Sequence, residues 1–236
     1  MVEGFEPGAG SPPTEVLNGG TPGASHWAAA ETDVSIRPGW FWRESETPRV
    51  KGVQQLLQIY YESVGRNSLL LLNVPPDTRG RIDAVDSLRL MEFRAALDTI
   101  FDCDLAEDAT VSGVARGRRF AAGNILDPVY DRYWAAPDGQ LTASLTMELD
   151  GPKTFNRILL QEYIPLGQRI AAFHVDILTP EGAWQEIARE TTVGYKRIVL
   201  TPTVTTTAVR ILIDDALACP TLTRASLFLD TIYCTK

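Results

Sequence analysis

The chain has 236 residues, 44% of them apolar and 22% charged, and its 30 acidic against 22 basic side chains give a formal net charge of −8. That size accommodates one large domain or two of ordinary size, and the acidic balance argues against nucleic acid or an anionic membrane surface as partner, because both reward clustered lysine and arginine. No apolar run exceeds the four residues of Leu69–Leu72, far short of the roughly 18–20 residues that span a bilayer.

Met1 to Gly10 contains acids, glycine and proline in place of the basic start and apolar run of a secretory leader. Residues 1–30 are rich in Gly, Pro, Ala and Ser without periodicity and are expected to form loop or tail. Glu31 to Trp42, E-T-D-V-S-I-R-P-G-W-F-W, then crowds two carboxylates, an arginine and three large rings around Pro38-Gly39. That mixture predicts a strand end opening into a polar, aromatic-lined pocket, where rings meet the apolar face of a sugar and charges meet its hydroxyls.

Val53, Leu56, Leu57, Tyr60, Tyr61 and Val64 recur at helical spacing within Val50–Val64, and Gly65 is a stop signal. Leu69–Val74 predicts a strand buried on both faces, broken by Pro75-Pro76-Asp77. A second helix is expected from about Asp83, a suitable N-cap, to Phe101, with Val85, Leu88, Met91, Leu97, Ile100 and Phe101 on its apolar stripe. This is the rhythm of parallel α/β structure, with too few strands to close a sheet.

From about Leu105 the pattern changes to short strands divided by turns. Strands are expected at Leu141–Leu149, Phe155–Glu162, Ala171–Leu178, Trp184–Ala188, Lys196–Leu200, Ala208–Ile213 and Leu222–Asp230, with turns at Asp138-Gly139, Asp150-Gly151-Pro152, Pro165/Gly167 and Pro180-Glu181-Gly182. Such spacing predicts an antiparallel sandwich. Cys103, Cys219 and Cys234 are too few and too scattered for a disulfide scaffold. Three free buried thiols are preferred to a Cys219–Cys234 bridge, and two histidines exclude a multi-histidine metal site.

Several side chains carry a functional and a structural reading side by side. Glu31 and Asp33, two apart on a strand, share a face, which either lines a pocket or pairs with Arg37. For Arg37 an ion pair with Asp33 is preferred to a contact with ligand. Trp40, Phe41 and Trp42 either stack on a sugar or fill a core. His26-Trp27 are candidates for the rim. Arg66, Asn67 and Asn73 are expected to satisfy backbone groups, and Tyr60 and Tyr61 to pack in the core or at an interface. Tyr130, Tyr133, Trp134 and Trp184 form a possible sugar platform, although packing across the sandwich is preferred for Trp184. Asp127, Asp131 and Asp138 lack EF-hand spacing, and no metal is expected.

The first block, together with I-Y-Y-E-S-V-G-R-N-S-L-L-L-L-N-V-P-P-D-T-R-G, resembles the end of the catalytic barrel of α-L-fucosidases of glycoside hydrolase family 29, plant and bacterial branch. Asn124, Tyr133-Trp134, Phe155-Asn156-Arg157 and Val209-Arg210-Ile211 are similar to the discoidin-like jelly roll that follows that barrel. The resemblance implies an α/β plus all-β chain: residues 1–104 as the C-terminal remnant of a (β/α)8 barrel, residues 105–236 as an antiparallel β-sandwich. It implies hydrolysis of terminal α-L-fucose with retention, by two carboxyl groups about 5–5.5 Å apart. The family's general acid lies just upstream of the matched segment in some members and at the glutamate aligned near Glu31 in others, so Glu31 is a candidate acid/base or pocket-lining residue; Arg37, Trp40 and Trp42 are candidate substrate-binding residues. The family's nucleophile, in a Trp-x-Asp motif, and its fucose-binding histidines have no counterpart in this sequence. The implied partner is a fucosylated glycan, with no cofactor and a secreted location. The chain alone is expected to be inactive. The competing reading is a non-catalytic carbohydrate-binding or structural sandwich.

Overall fold

A computed structural model describes residues 26–233, which divide into two compact units. The first is an α/β unit of residues 29–103 together with the segment from Asp230. Strands β1 (Ala30–Ser35) and β2 (Ser68–Asn73) pair in parallel, with Glu31 opposite Leu69 and Asp33 opposite Leu71. Between them lie a 3-10 turn, Glu44–Arg49, and helix α1, Val53–Glu62; helix α2, Ala84–Phe101, follows β2. Asp83 caps α2 by accepting the N–H of Val85. Gly65 closes α1, and a Cβ there would lie 2.5 Å from the Tyr61 carbonyl oxygen, so the tight turn into β2 requires glycine.

Ile36, Leu56, Leu57, Tyr61, Phe93 and Ile100 form the buried interior of this unit. Tyr61 donates to Asp230 at 2.6 Å, and Gln54 donates to the Ile232 carbonyl, which fastens the returning segment to α1. Two expectations are corrected. Strand β2 is not buried on both faces: Leu69 is 59% and Leu71 49% exposed, because β1 is its sole ladder partner and nothing among the described residues covers that face. On α2 the buried stripe is Asp86, Phe93, Ala96 and Ile100, so Leu88 and Met91 are exposed. The stripe is set by the pull of Asp86 toward a buried arginine, described below, as well as by apolar periodicity.

The second unit comprises residues 104–229 with residues 26–28 among those described. Its sheet contains β3 (Thr110–Gly113), β5 (Ala143–Gln161), β6 (Ile170–Leu178), β7 (Trp184–Glu190), β8 (Arg197–Ala216) and β10 (Arg224–Phe228). The order is β10-β5-β8-β6-β7, β3 also pairs with β5, and all pairings are antiparallel. A short ribbon joins β4 (Trp134–Ala135) to β9 (Thr221–Leu222). The interior gathers Trp134, Leu145, Met147, Phe155, Ile158 and Phe173, all fully or almost fully buried.

Here the expected strands are longer and fewer. Leu141–Leu149 and Phe155–Glu162 merge into β5, while Lys196–Leu200 and Ala208–Ile213 merge into β8. The register shifts between Glu148 and Lys153, so Asp150-Gly151-Pro152 makes a bulge in a continuous strand, not a turn between two. Trp184 stands at the exposed edge on β7 with the Arg210 guanidinium 4.5 Å from its ring centre; it does not pack across the core. Cys103 is exposed and Cys219 half-buried, both free, which corrects the expectation of buried thiols; Cys234 lies outside the described residues. Among the described residues no helix is long and apolar enough to cross a membrane.

Candidate functional site

The carboxyl ends of β1 and β2 hold one well-fixed loop, residues 36–43. Its first residues, Ile36 and Arg37, are fully buried. The Arg37 guanidinium donates through Nε to Asp86 at 2.8 Å and through Nη1 to the Arg43 carbonyl and the Thr47 hydroxyl, while Nη2 lies 3.3 Å from Asp83. The expected Asp33 partner is thus replaced by two acids at the start of α2, and the guanidinium does not reach solvent. Trp42, half-buried, donates its indole N–H to Asp83 at 3.0 Å and lies 5.7 Å from the guanidinium. The N–H of Val85, then Trp42 and Arg37, hold the Asp83 carboxyl below the usual carboxylate range.

The other side of the loop is tied to the strands. Asn73, at the end of β2, donates to the Trp40 carbonyl and to Ser35 Oγ, each at 3.0 Å. Ser35 Oγ donates to the Gly39 carbonyl, and the Gly39 N–H donates to buried Glu46. Lys51 donates to the carbonyls of Ser35 and Arg37. The loop's backbone is therefore pinned at four points, and its two outward rings, Trp40 at 51% and Phe41 at 80% exposure, are presented to water. The role expected of Asn73 is realised; those of Asp83, Asp86 and Glu46 were not foreseen. The acid pair at i and i+3 around the start of α2 was the available signal.

Glu31 and Asp33 are exposed and lie on one face of β1, and their register partners Leu69 and Leu71 share that face. Glu31 precedes the strand's last residue by four positions, about 13 Å along an extended chain. Chemically this half of a site offers two solvent-facing carboxylates, a pinned loop and two exposed rings. Trp27 donates to Gln168 and sits 6.4 Å from the Tyr195 ring, within the antiparallel unit.

The other candidates lie in that unit. Trp134 is buried, donating to the Val114 carbonyl. Tyr133 stacks on Tyr163 with centroids 4.1 Å apart, Tyr130 lies 5.5 Å from Tyr163, and Phe120 lies 5.1 Å from Tyr133. Phe120 and Tyr163 were not foreseen. Asp127, Asp131 and Asp138 do not converge: they meet Arg132, Tyr163 and Arg116 respectively. Among the described residues, His174, Asp176 and Glu186 are close enough to hold a metal, but Arg210 engages Asp176 and Arg189 engages Glu186, so the carboxylates already have cationic partners.

No family model matches the sequence. A protein of Oryza sativa subsp. japonica carrying an α-L-fucosidase 1 name is 43% identical over 221 residues, 92% of this chain and 42% of the relative. The α-L-fucosidase 1 of Arabidopsis thaliana is 41% identical over 86% of this chain and 41% of its own length. The chain thus spans about two-fifths of the curated relatives it matches. Among solved structures, SpGH29 is 41% identical with a TM-score of 0.86, over 92% of this chain and 48% of that one. A Ruminococcus gnavus GH29 fucosidase in complex with fucose is 29% identical with a TM-score of 0.82, over 89% of this chain and 43% of that one.

Proposed function

From the premise that this chain is, over about nine-tenths of its length, a relative of the α-L-fucosidases of glycoside hydrolase family 29, we infer that it forms the C-terminal part of such an enzyme. The α/β unit is then the closing part of a (β/α)8 barrel, and the antiparallel unit a discoidin-like jelly-roll sandwich, divided near residue 104. The whole enzyme removes terminal α-L-fucose from glycans with retention, is secreted, and needs no cofactor.

The observation that carries this reading is the pinned loop at the carboxyl ends of two parallel strands, the place where α/β barrels assemble their sites. Trp40 and Phe41 supply rings for the apolar face of a sugar. Arg37 and Trp42 act from below, fixing the loop through Asp83 and Asp86, a role that differs from direct contact with substrate. Glu31, four residues before the carboxyl end of β1, is assigned the acid/base role from the resemblance and not from its place relative to the loop: it would protonate the leaving oxygen, then take a proton from the incoming water. The nucleophile, which attacks the anomeric carbon, comes from outside residues 1–236.

The test compares the chain alone with a chimera that joins it to the upstream part of the Arabidopsis relative. On an aryl α-L-fucoside the chain alone is expected to be silent and the chimera active. Glu31→Gln in the chimera should lower the rate about 10²–10⁴-fold. Azide should partly restore turnover, because an anionic nucleophile needs no base. A change of only a few-fold would remove Glu31 from this role, and turnover by the chain alone would overturn the need for an external nucleophile.

A further inference from the structure

We propose that Lys196, just before β8, is a nucleophilic amine that captures small aldehydes carrying an oxyanion, the anion being held by Arg224 on β10. The inference stands without the hydrolase reading, since it rests on the antiparallel unit alone. Across β10 and β5, Arg224 pairs with Gln161, and across β8 and β5, Arg197 pairs with Leu160. One further step of the second register sets Lys196 opposite Gln161. Cross-strand neighbours share a face, so Lys196, Gln161 and Arg224 form one row over three adjacent strands, about 10 Å from end to end by strand spacing. The next row on that face is Ile198, Leu159 and Ser226, all buried. The row of longer side chains thus stands on a largely apolar floor.

The charges on this row do not balance. Lys51 donates to the carbonyls of Ser35 and Arg37, and Lys153 lies 2.8 Å from Asp150. Lys196, half-buried, has neither an acceptor nor a carboxylate partner among the described residues. The acid near its neighbour Arg197 is Glu190, which Arg197 engages. Arg224 donates through Nε to Ser226 Oγ at 2.8 Å, and its Nη2 lies 3.5 Å from Asp104. Asp104 also accepts the N–H groups of Ala106 and Leu227. Two cations therefore face one carboxylate that is already shared, and Arg224 keeps donors for an incoming oxyanion. Burial first, and the Arg224 charge second, hold the Lys196 ammonium below the usual lysine range. More of it is free amine at neutral pH than in a solvated lysine.

The chemistry follows from that amine. Its nitrogen lone pair forms a bond to the aldehyde carbon, and the carbonyl π pair moves to oxygen, which takes a proton. The resulting carbinolamine loses its hydroxyl as water and one proton from nitrogen, leaving an imine. Amine and aldehyde thus become imine and water, with no change in oxidation state. A desolvated lysine beside a second cation is the arrangement that activates an amine for this reaction. The guanidinium adds selection: an aldehyde with a carboxylate or phosphate a few ångströms from its carbonyl is held at both ends of the row, and a neutral aldehyde at one.

The test treats the full chain at neutral pH with 4-formylbenzoate or with its uncharged methyl ester. Sodium cyanoborohydride traps the imine, and peptide mass spectrometry reads the labelling of Lys196, Lys51 and Lys153. Lys196 is expected to label at least about tenfold faster than either other lysine, since each pKa unit is tenfold in free amine. With Lys153 as reference, 4-formylbenzoate should favour Lys196 over the ester about threefold. Inorganic phosphate at constant ionic strength should erase that preference. Arg224→Gln should bring the two probes level; if its thermal midpoint shows that it does not fold, the two probes on the wild type decide. Lys196→Arg should remove the fast site and leave Lys51 and Lys153 as they were. Equal labelling of the three lysines would overturn the proposal. So would equal preference for the two probes, or a preference that phosphate leaves untouched. None of these outcomes depends on turnover, so failure here is distinct from failure of the hydrolase reading.

Discussion

Arg37 carries its charge out of reach of water. Its partners, Asp86 within the interior and Asp83 at the rim of α2, are what make that position tolerable. Asp86→Ala removes one carboxylate and leaves the cation desolvated, which should cost about 3–5 kcal/mol. A lower urea midpoint at unchanged slope would report it. The double variant Arg37→Met/Asp86→Leu should lose less than Asp86→Ala alone, since an apolar pair of similar size carries no desolvation cost; a larger loss would show that the ion pair itself is the stabilising element. Glu162 presents the opposite case. Its carboxylate accepts the N–H groups of Arg169 and Ile170 on one oxygen and of Gly194 on the other. Burial nevertheless pushes it from 4.5 up to about 7, against those three donors and Arg169. The folded state therefore holds this proton more tightly than the unfolded one. Its penalty is absent below about pH 4.5, grows as pH rises toward 7, and reaches about 3 kcal/mol above that. Glu162→Gln does not titrate. The unfolding free energy of the wild type minus that of the variant should shrink between about pH 5 and about pH 8, as read by urea titrations at both; a constant difference contradicts the assignment.

At the level of elements, the sequence announces local chemistry better than it announces long-range pairing. The helix stop at Gly65, the Asp83 cap and the strand before Pro75 are set within a few residues, and the structure has them there. The faces of those elements are set by distant partners. Four leucines in a row specify a strand but not which of them face water, so the exposure of Leu69 and Leu71 was not legible. Asp150-Gly151-Pro152 has turn chemistry, yet the ladder with β8 resumes at Lys153 and makes it a bulge. In the candidate site, Glu31 to Trp42 was legible as a strand opening into a loop; which rings are offered to solvent depends on Asn73, Glu46 and Lys51, far along the chain. The same long-range control makes a glycine prediction. A Cβ on Gly113 of β3 would lie 2.5 Å from Leu145 Cδ2 and 2.8 Å from the Ser144 carbonyl oxygen, whereas one on Gly151 in the bulge meets nothing within 4 Å. Gly113→Ala should therefore destabilise by about 1–3 kcal/mol, and Gly151→Ala by less than about 0.5 kcal/mol. Equal thermal midpoints for the two variants would contradict the packing described for β3.

For the molecule as a whole, the α/β unit combines two distant pieces of chain with an uncovered apolar face. Its parallel pair shows Leu69 and Leu71 to solvent, and Ile82, Leu88 and Met91 are exposed in the same unit. The segment from Asp230 completes its interior: Asp230 takes the Tyr61 hydroxyl on one oxygen and the N–H groups of Ile232 and Tyr233 on the other, and the Tyr233 ring lies 5.3 Å from Tyr61. Residues 1–104 expressed alone would keep the exposed leucines and lose that segment. Tyr61 would then lose its hydrogen bond to the Asp230 carboxylate, worth about 1.5–3 kcal/mol as a bond to a charged group, in a unit with two strands and open edges among the described residues. Such a fragment should aggregate, and in urea it should lack a cooperative transition. Supplying residues 230–233 through a short Gly/Ser linker should recover part of the loss, and Tyr61→Phe should remove that gain, because the phenyl ring keeps the packing and discards the hydrogen bond. Sedimentation and circular dichroism of the three proteins decide it: a soluble, cooperatively unfolding monomer from residues 1–104 would mean that neither the exposed face nor the missing segment governs the stability of this unit.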